Sequence, residues 1–140
     1  LLYLSYYFKK HRAEYYSRLQ NVRDNGDWEG WLKFFLKGIY DVSLEATETA
    51  KKIVNLREEH RKKITDEFAG GAGNALSLLE LLYWRPIISV NAAAKQTEIP
   101  YASTNRIISK FEELEILHEI TGNKRNRRFS YRSYLDLFAD

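Results

Sequence analysis

The sequence predicts a mainly α-helical chain in two parts, with a small β-hairpin near its carboxyl end. Apolar residues recur every three or four positions over most of the chain, and one glycine-rich stretch, 68–74, interrupts them. Runs typical of short strands follow only after that stretch. With 140 residues and 44% hydrophobic content, the chain is long enough for one ordinary domain or two small ones. It is too short for a large barrel or a doubly wound enzyme.

The first part is predicted to consist of helices. Residues 11–23 carry apolar side chains at helical spacing, and the Asn-Gly pair at 25–26 ends that helix. Asp27 is placed to cap the next helix by accepting a backbone N–H bond. From Trp28 to Ile64 the helical period continues, which predicts one very long helix or two helices bent near Gly38.

The segment from Glu45 to Lys63 carries acid-to-base pairs four residues apart, which are Glu48–Lys52, Glu58–Lys62 and Glu59–Lys63. Each pair contributes only about 0.2–0.5 kcal/mol, so they indicate a solvated helix face. We interpret this segment as a spacer helix with a narrow core seam. The alternative is a coiled-coil-like contact with a partner helix.

The second part begins after the glycine-rich stretch. We expect helices in 1–69, a linker at 70–74 and a second domain at 75–140. The predicted elements of that domain are a helix at 75–84, a strand at 87–90, a helix at 91–97, a turn at 98–100, a helix at 101–115, and strands at 117–121 and 128–131. This order of elements is that of a winged helix-turn-helix.

The composition excludes several kinds of site. Without cysteine the chain has no disulfide, thiolate zinc site or cysteine nucleophile, which suits a cytoplasmic protein. His11, His60 and His118 lie in different predicted elements, so we expect no catalytic or metal role for them. The glycines at 70–73 are followed by Asn74 rather than Lys-Ser/Thr, which favours a flexible linker over a phosphate-binding loop.

The charge and the two ends of the chain add little about partners. A net charge of +3 does not argue for nucleic acid by itself. The apolar run at 1–8 stops at Lys9, far short of the ~20 residues that span a bilayer, so we expect no membrane partner. Because the chain starts at Leu1 and contains no methionine, we expect it to be a piece of a longer protein.

The third helix of the second part and the hairpin tip form a candidate surface for binding DNA or another partner. Recognition helices present base-reading groups from their first turns, and a basic hairpin tip suits phosphate. The candidate residues are Ser103, Thr104, Asn105, Arg106, Lys110, Lys124, Arg125, Arg127 and Arg128. Against DNA, the helix continues into Glu112, Glu113 and Glu115, and Glu98 occupies a turn that commonly has glycine. The same surface could instead bind a protein target, form a homodimer or be a structural cap.

Three elements of the amino-terminal half resemble a known family. They are Glu-Tyr-Tyr-x-x-Leu at 14–19, Gly-Asp-Trp at 26–28 and Trp-x-x-Phe-Phe at 31–35. In this order and spacing they resemble the segment of Fic-family proteins just downstream of the catalytic motif. The match spans roughly Leu1–Ile64, and the second half looks like the winged helix appended to one branch of the family. Fic proteins are mostly bacterial protein adenylyltransferases, which move AMP from ATP onto a hydroxyl side chain.

The resemblance implies an adenine pocket lined by Tyr16, Leu19 and Arg23, with ATP and Mg²⁺ as cofactors of the parent protein. The family's signature, His-x-Phe-x-Asp/Glu-Gly-Asn-Gly-Arg, is absent. We therefore expect it upstream of Leu1, and we expect this chain alone to be inactive and to hold no catalytic residue. The alternative for Tyr16 and Leu19 is a place in the bundle core. The alternative for the whole chain is a winged-helix transcriptional regulator.

Overall fold

The structure, a computed structural model, describes residues 2–139. Over these residues the chain is mainly helical with one small antiparallel sheet, which confirms the predicted fold class. The helices are α1 (Leu2–Lys10), α2 (Arg12–Asn25), α3 (Trp28–Glu67), α4 (Ala72–Trp84), α5 (Val90–Thr97), α6 (Tyr101–Glu113) and α7 (Arg132–Leu135). The strands are β1 (Ile87–Ser89), β2 (His118–Glu119) and β3 (Arg128–Ser130), and short 3-10 turns span Ala69–Gly71 and Asp136–Phe138.

The chain divides into two compact units between Ala50 and Lys51, within α3. The sequence places the boundary at 70–74 instead. The physical reason lies in the second half of α3, where Ile64 is fully buried in the same core as α4, α5 and α6. Residues 51–67 therefore belong to the second unit, and the glycine-rich stretch forms a 3-10 turn and the start of α4 within it.

The first unit is held together by aromatic rings. The ring of Phe8 stacks on that of Phe34 at 5.9 Å between centroids, and it lies 5.1 Å from Tyr15. Tyr15 in turn meets the edge of Trp31 at 5.5 Å. Rings packed in this way add about 0.5–1.5 kcal/mol per pair to the burial of their apolar area. These contacts join α1, α2 and the first turns of α3.

The start of α3 follows the predicted capping. Gly26 adopts a left-handed φ of 64° at the end of α2, and Asp27 Oδ1 accepts the backbone N–H of Gly30 at 2.9 Å. Of the two alternatives for 28–64, the single helix is the one observed. Gly38 does not end it. A Cβ at Gly38 would lie 2.8 Å from the Tyr7 ring, so the glycine allows α1 to approach α3 closely.

The second unit has the winged helix-turn-helix order α4, β1, α5, α6, β2, β3. Its three strands pair antiparallel in the order β1-β3-β2, with Ile88 opposite Phe129 and Glu119 also opposite Phe129. The core contains the buried faces of α4 and α6, including Leu78, Leu82, Ile108 and Phe111.

Several elements of this unit differ in length from the expected ones. Ser89 caps α5 by accepting the N–H of Ala92, so Val90 is helical rather than part of β1. The third helix ends at Glu113, because Glu115 turns left-handed at φ 58° and the N–H of Ile116 returns to the carbonyl of Phe111. Among residues 2–139, no helix combines the length and the apolar composition that crossing a bilayer requires.

Candidate nucleic-acid interface

A cleft of about 610 Å³ opens between the start of α6, the start of α5 and the hairpin loop. It is lined by Ser89, Val90, Asn91, Tyr101, Asn105, Lys124, Arg125, Asn126, Arg127 and Arg128. Four of these residues carry positive charge and none carries negative charge. Apart from Val90, the rest offer amide, hydroxyl or aromatic groups, so the cleft suits a polyanion that also presents flat or hydrogen-bonding groups. We call it the basic cleft.

The sequence-predicted residues of α6 divide between the cleft and other surroundings. Asn105 lines the cleft, whereas Arg106 is exposed outside it and Ser103 is half-buried. Thr104 is fully buried, and its hydroxyl lies 3.2 Å from the carbonyl oxygens of Ile99 and Pro100. Thr104 thus secures the start of α6 and is not available to a ligand.

Lys110 also faces away from the basic cleft. Its Nζ lies 3.0 Å from a carboxylate oxygen of Glu113 and 3.4 Å from one of Glu67. The hydrogen bond with Glu113 raises the pKa of Lys110. The side chain therefore serves the contact between α6 and the end of α3, and it does not add charge to the cleft.

The hairpin supplies the charge of the cleft. Arg127 lies over the ring of Phe129, with its guanidinium carbon 5.1 Å from the ring centroid. A guanidinium nitrogen of Arg127 lies 3.9 Å from a carboxylate oxygen of Glu112. Lys124, Arg125 and Arg128, by contrast, have no carboxylate within 4.0 Å among residues 2–139. These three cations can bind an anion without first giving up an ion pair.

Glu119, the one acid of the hairpin, is occupied locally. Its carboxylate accepts the backbone N–H groups of Thr121 and Gly122, both at 2.8 Å, and the hydroxyl of Thr121. These hydrogen bonds hold the pKa of Glu119 below its usual range, and the one from the Thr121 hydroxyl has the largest effect. The negative charge stabilises the turn at Gly122, where φ is 67°.

The other acids that argue against DNA lie mostly at the opposite end of α6. Glu113 and Glu115 line a separate opening of about 370 Å³ together with Asp66 and Glu67 of α3. Glu112, by contrast, lies 3.9 Å from the guanidinium of the cleft residue Arg127. The charge of α6 is thus polarised, with polar and basic surroundings at its amino end and acids at its carboxyl end.

Five cleft residues were not predicted from the sequence: Ser89, Val90, Asn91, Tyr101 and Asn126. Pairing of β1 with β3 sets Ser89 opposite Arg128, which brings the first turn of α5 beside the hairpin. Backbone N–H groups in the first turn of a helix lack intrahelical partners and favour anions. The Ser-Val-Asn sequence was a usable signal for a capped helix start, but its place beside the hairpin depends on strand pairing.

The residues of the implied adenine pocket lie together on one face of α2. Tyr16 is 55% exposed and Leu19 is 38% exposed, and Arg23 is exposed as well. Within the described residues, neither Tyr16 nor Leu19 is buried. Their neighbour Tyr15 is half-buried and meets the edge of the Trp31 ring.

The three histidines lie in separate places. The ring of His11 lies 4.3 Å from that of Tyr7 between centroids, tilted by 37°, while His60 is buried and His118 lies on β2. Within the described part of the chain, no three His, Asp or Glu side chains are grouped as a metal site would need.

No protein-family model matches the chain, and a search of curated proteins returns no match. The basic cleft and the exposed face of α2 are the features of the structure that bear on function.

Proposed function

We propose that the second unit binds double-stranded DNA through the basic cleft. The observation that supports this most directly is the convergence of Lys124, Arg125 and Arg128, none of them neutralised, on a concave surface that also contains Asn105 of α6. In a winged helix-turn-helix this is the helix that enters the major groove, and the hairpin lies next to the backbone.

The three cations provide the phosphate contacts in this proposal. Each phosphate that a lysine or arginine neutralises releases a counterion, which favours binding and makes it depend on salt. Charge-assisted hydrogen bonds to phosphate are stronger than neutral ones. Arg127 contributes less, because Glu112 and Phe129 already engage its guanidinium.

Base contacts come from α6. The amide of Asn105 can pair with the N6 and N7 groups of adenine, and exposed Arg106 can pair with guanine. Tyr101, exposed one turn before Asn105, offers an aromatic ring and a hydroxyl at the mouth of the cleft.

A fluorescence-anisotropy titration with a labelled duplex at two salt concentrations tests this function. We expect salt-sensitive binding that the double substitution Lys124→Ala/Arg125→Ala weakens by at least about tenfold. The matched control is Lys52→Ala/Lys62→Ala, which removes the same charge from the exposed face of α3 and is expected to retain most of the affinity. No binding at low salt, or equal losses in both variants, would exclude the basic cleft as a DNA site.

We propose as a second candidate that the first unit is part of a bacterial, cytoplasmic protein adenylyltransferase, as the Fic resemblance implies. It is supported by the exposure of Tyr16 and Leu19 on one face of α2, with Arg23 one turn further. A tyrosine ring and a leucine side chain on one face suit the flat, apolar surface of adenine. ATP would supply the transferred AMP, and the ligands of Mg²⁺ would come from the upstream signature.

The parent sequence upstream of Leu1 tests the second candidate. The His-to-Arg signature is expected there, and its absence would leave the regulator interpretation. In a parent that carries it, Tyr16→Ala is expected to reduce AMP incorporation from labelled ATP. Tyr3→Ala, which removes another exposed tyrosine, serves as the control and is expected to leave it unchanged. An equal loss in both variants would argue against an adenine contact at Tyr16.

A further inference from the structure

Arg127 differs from the other cations of the basic cleft because its guanidinium already has two contacts. It lies over the ring of Phe129, and one of its nitrogens lies 3.9 Å from a carboxylate oxygen of Glu112 on α6. Phe129 is fully buried in the core of the second unit, so its ring is a fixed surface beneath the guanidinium. Arg127 thus has an acid of α6 as its partner while it also lines the open cleft.

The contact between Arg127 and Glu112 is an ion pair without a hydrogen bond. At 3.9 Å the nitrogen and oxygen atoms are too far apart for one, and the two side chains remain 35% and 30% exposed. Ion pairs exposed to this degree contribute little to stability and are weakened by salt. A phosphate can offer the same guanidinium shorter, charge-assisted hydrogen bonds. The carboxylate is therefore a partner that a phosphate can replace.

Glu112 has no second cation to pair with when Arg127 leaves it. Among residues 2–139, no other positively charged side chain lies within 4.0 Å of its carboxylate. Its neighbour Glu113, by contrast, pairs with Lys110, and Glu119 of β2 accepts three hydrogen bonds from the turn that follows it. Of these three acids, Glu112 is the one whose pairing changes when a ligand binds Arg127.

We propose that Glu112 competes with DNA phosphate for Arg127 and thereby limits the affinity of the basic cleft. In the free protein Glu112 pairs with Arg127, and in the complex a phosphate oxygen takes the place of the carboxylate. Glu112 is then left without its cation near a polyanion, and that like-charge contact opposes binding. Because this inference rests on the proposed DNA function, it concerns how tightly the cleft binds DNA and not whether it does.

Competition by Glu112 also affects the salt dependence of binding. A cation that neutralises a phosphate releases a counterion from the DNA. When Arg127 exchanges Glu112 for a phosphate, the unpaired carboxylate attracts a cation from solution, so the net release is small. With a neutral side chain at position 112, Arg127 contributes to the salt dependence in the same way as Lys124 and Arg125, which have no carboxylate partner among residues 2–139.

Titration of a labelled duplex with the full chain and with Glu112→Gln, at several salt concentrations, tests the competition. The substitution keeps the shape of the side chain and removes its charge. We expect it to raise the affinity about three- to tenfold and to steepen the slope of log affinity against log salt by about one. The matched control is Glu113→Gln, which removes the same charge from the adjacent residue, where the carboxylate pairs with Lys110. It is expected to raise the affinity less than about twofold and to leave the slope unchanged.

A double-mutant cycle with Arg127→Ala tests whether Glu112 acts through Arg127. In the Arg127→Ala background, Glu112→Gln is expected to change the affinity no more than Glu113→Gln does. A full gain that persists in this background, or equal gains from the two glutamine variants in the natural chain, would overturn the competition and leave DNA binding intact.

Two further outcomes of the titration are decisive. A loss of affinity in Glu112→Gln would also overturn the competition, since it would show that Glu112 holds the hairpin in its binding position. If neither the natural chain nor Glu112→Gln binds DNA at low salt, the proposed function fails and this inference fails with it. Circular dichroism checks that each variant remains folded.

Discussion

The Nδ1 atom of His60 lies 2.8 Å from the hydroxyl oxygen of Tyr131, and both side chains are buried. The pair joins the second half of α3 to the residue that follows β3. The hydroxyl of Tyr83 on α4 lies 3.4 Å from that of Tyr131 and extends the chain of polar contacts. Burial lowers the pKa of His60 and raises that of Tyr131, so both remain neutral near pH 7. Three elements of the second unit thus share one buried polar network.

This network predicts a loss of stability in mild acid. Since the pKa of His60 lies below the ordinary histidine value of 6.5, the unfolded chain binds this proton more readily than the folded one. Its contribution to the free energy of unfolding is complete above pH 6.5 and declines as the pH falls from 6.5 through the lower pKa of the folded state. Lys63 lowers that pKa further, and Glu59 opposes it. Urea unfolding between pH 5 and pH 8 measures the decline.

The variant His60→Gln separates this effect from the titration of carboxylates. It is expected to be less stable at pH 7 and to show a smaller decline between pH 6.5 and pH 5 than the natural chain. His11→Gln, which changes a histidine of the first unit, is the control and is expected to keep the full decline. Parallel pH curves for His60→Gln and the natural chain would contradict the role of His60.

The turn between α5 and α6 offers a stabilising substitution. Glu98 is exposed and has a left-handed φ of 58°, which costs a residue with a Cβ roughly 1 kcal/mol that glycine does not pay. Glu98→Gly is therefore expected to raise the free energy of unfolding by about 0.5–1 kcal/mol in a denaturant titration. Glu45→Gly, within the regular part of α3, is the control and should lower it by a similar amount. A loss of stability in Glu98→Gly would show that its side chain matters more than its backbone.

Gly38 is expected not to tolerate even a methyl group. An added Cβ would lie 2.8 Å from Tyr7 Cε1, and the ring cannot withdraw easily because Tyr7 is buried beside Phe34. Gly38→Ala is predicted to destabilise the first unit by about 1–3 kcal/mol despite the better helix propensity of alanine. Thermal unfolding followed by circular dichroism measures the change.

Gly73→Ala is the matched control for that substitution. It also lies in a helix, but an added Cβ there would meet no atom within 4 Å. The same change is therefore expected to stabilise the chain by about 0.5–1 kcal/mol. Two variants with effects of the same sign would contradict the close approach of α1 and α3 at Gly38.

In the proposed complex, the salt dependence of DNA affinity should distinguish phosphate contacts from base contacts in the basic cleft. Lys124→Ala is expected to weaken binding to every duplex and to reduce the slope of log affinity against log salt by about one. Asn105→Ala should leave that slope unchanged and should reduce the preference among sequences, at a cost of about 1–3 kcal/mol on the preferred one. Titrations of both variants at four salt concentrations with two duplexes measure the salt slope and the sequence preference. A changed slope in Asn105→Ala would show that this residue binds phosphate.

Much of the local structure could be predicted from the sequence. The Asn-Gly stop at 25–26, the cap at Asp27 and the order of elements in the winged half all appear in the structure. These features depend on residues close together in the chain, through capping, turn geometry and periodicity. The glycine-like position of Glu98 also follows from such a pattern, and its φ of 58° confirms it.

Contacts between distant segments could not be predicted from the sequence. Periodicity left open whether Gly38 bends a helix, since the answer depends on Tyr7, thirty-one residues earlier. The division of the chain within α3 likewise depends on Ile64 packing into the core of the winged half.

The composition of the candidate site shows the same limit. The sequence does not show whether a polar residue at the start of a recognition helix faces solvent or the core. Buried Thr104 and cleft-lining Asn105 therefore could not be distinguished from the sequence. The sequence by itself determined where helices and turns form, because those choices depend on neighbours within about four residues. Only the tertiary structure decided which charges converge on one cleft and which are neutralised, because that depends on side chains brought together by strand pairing and helix packing.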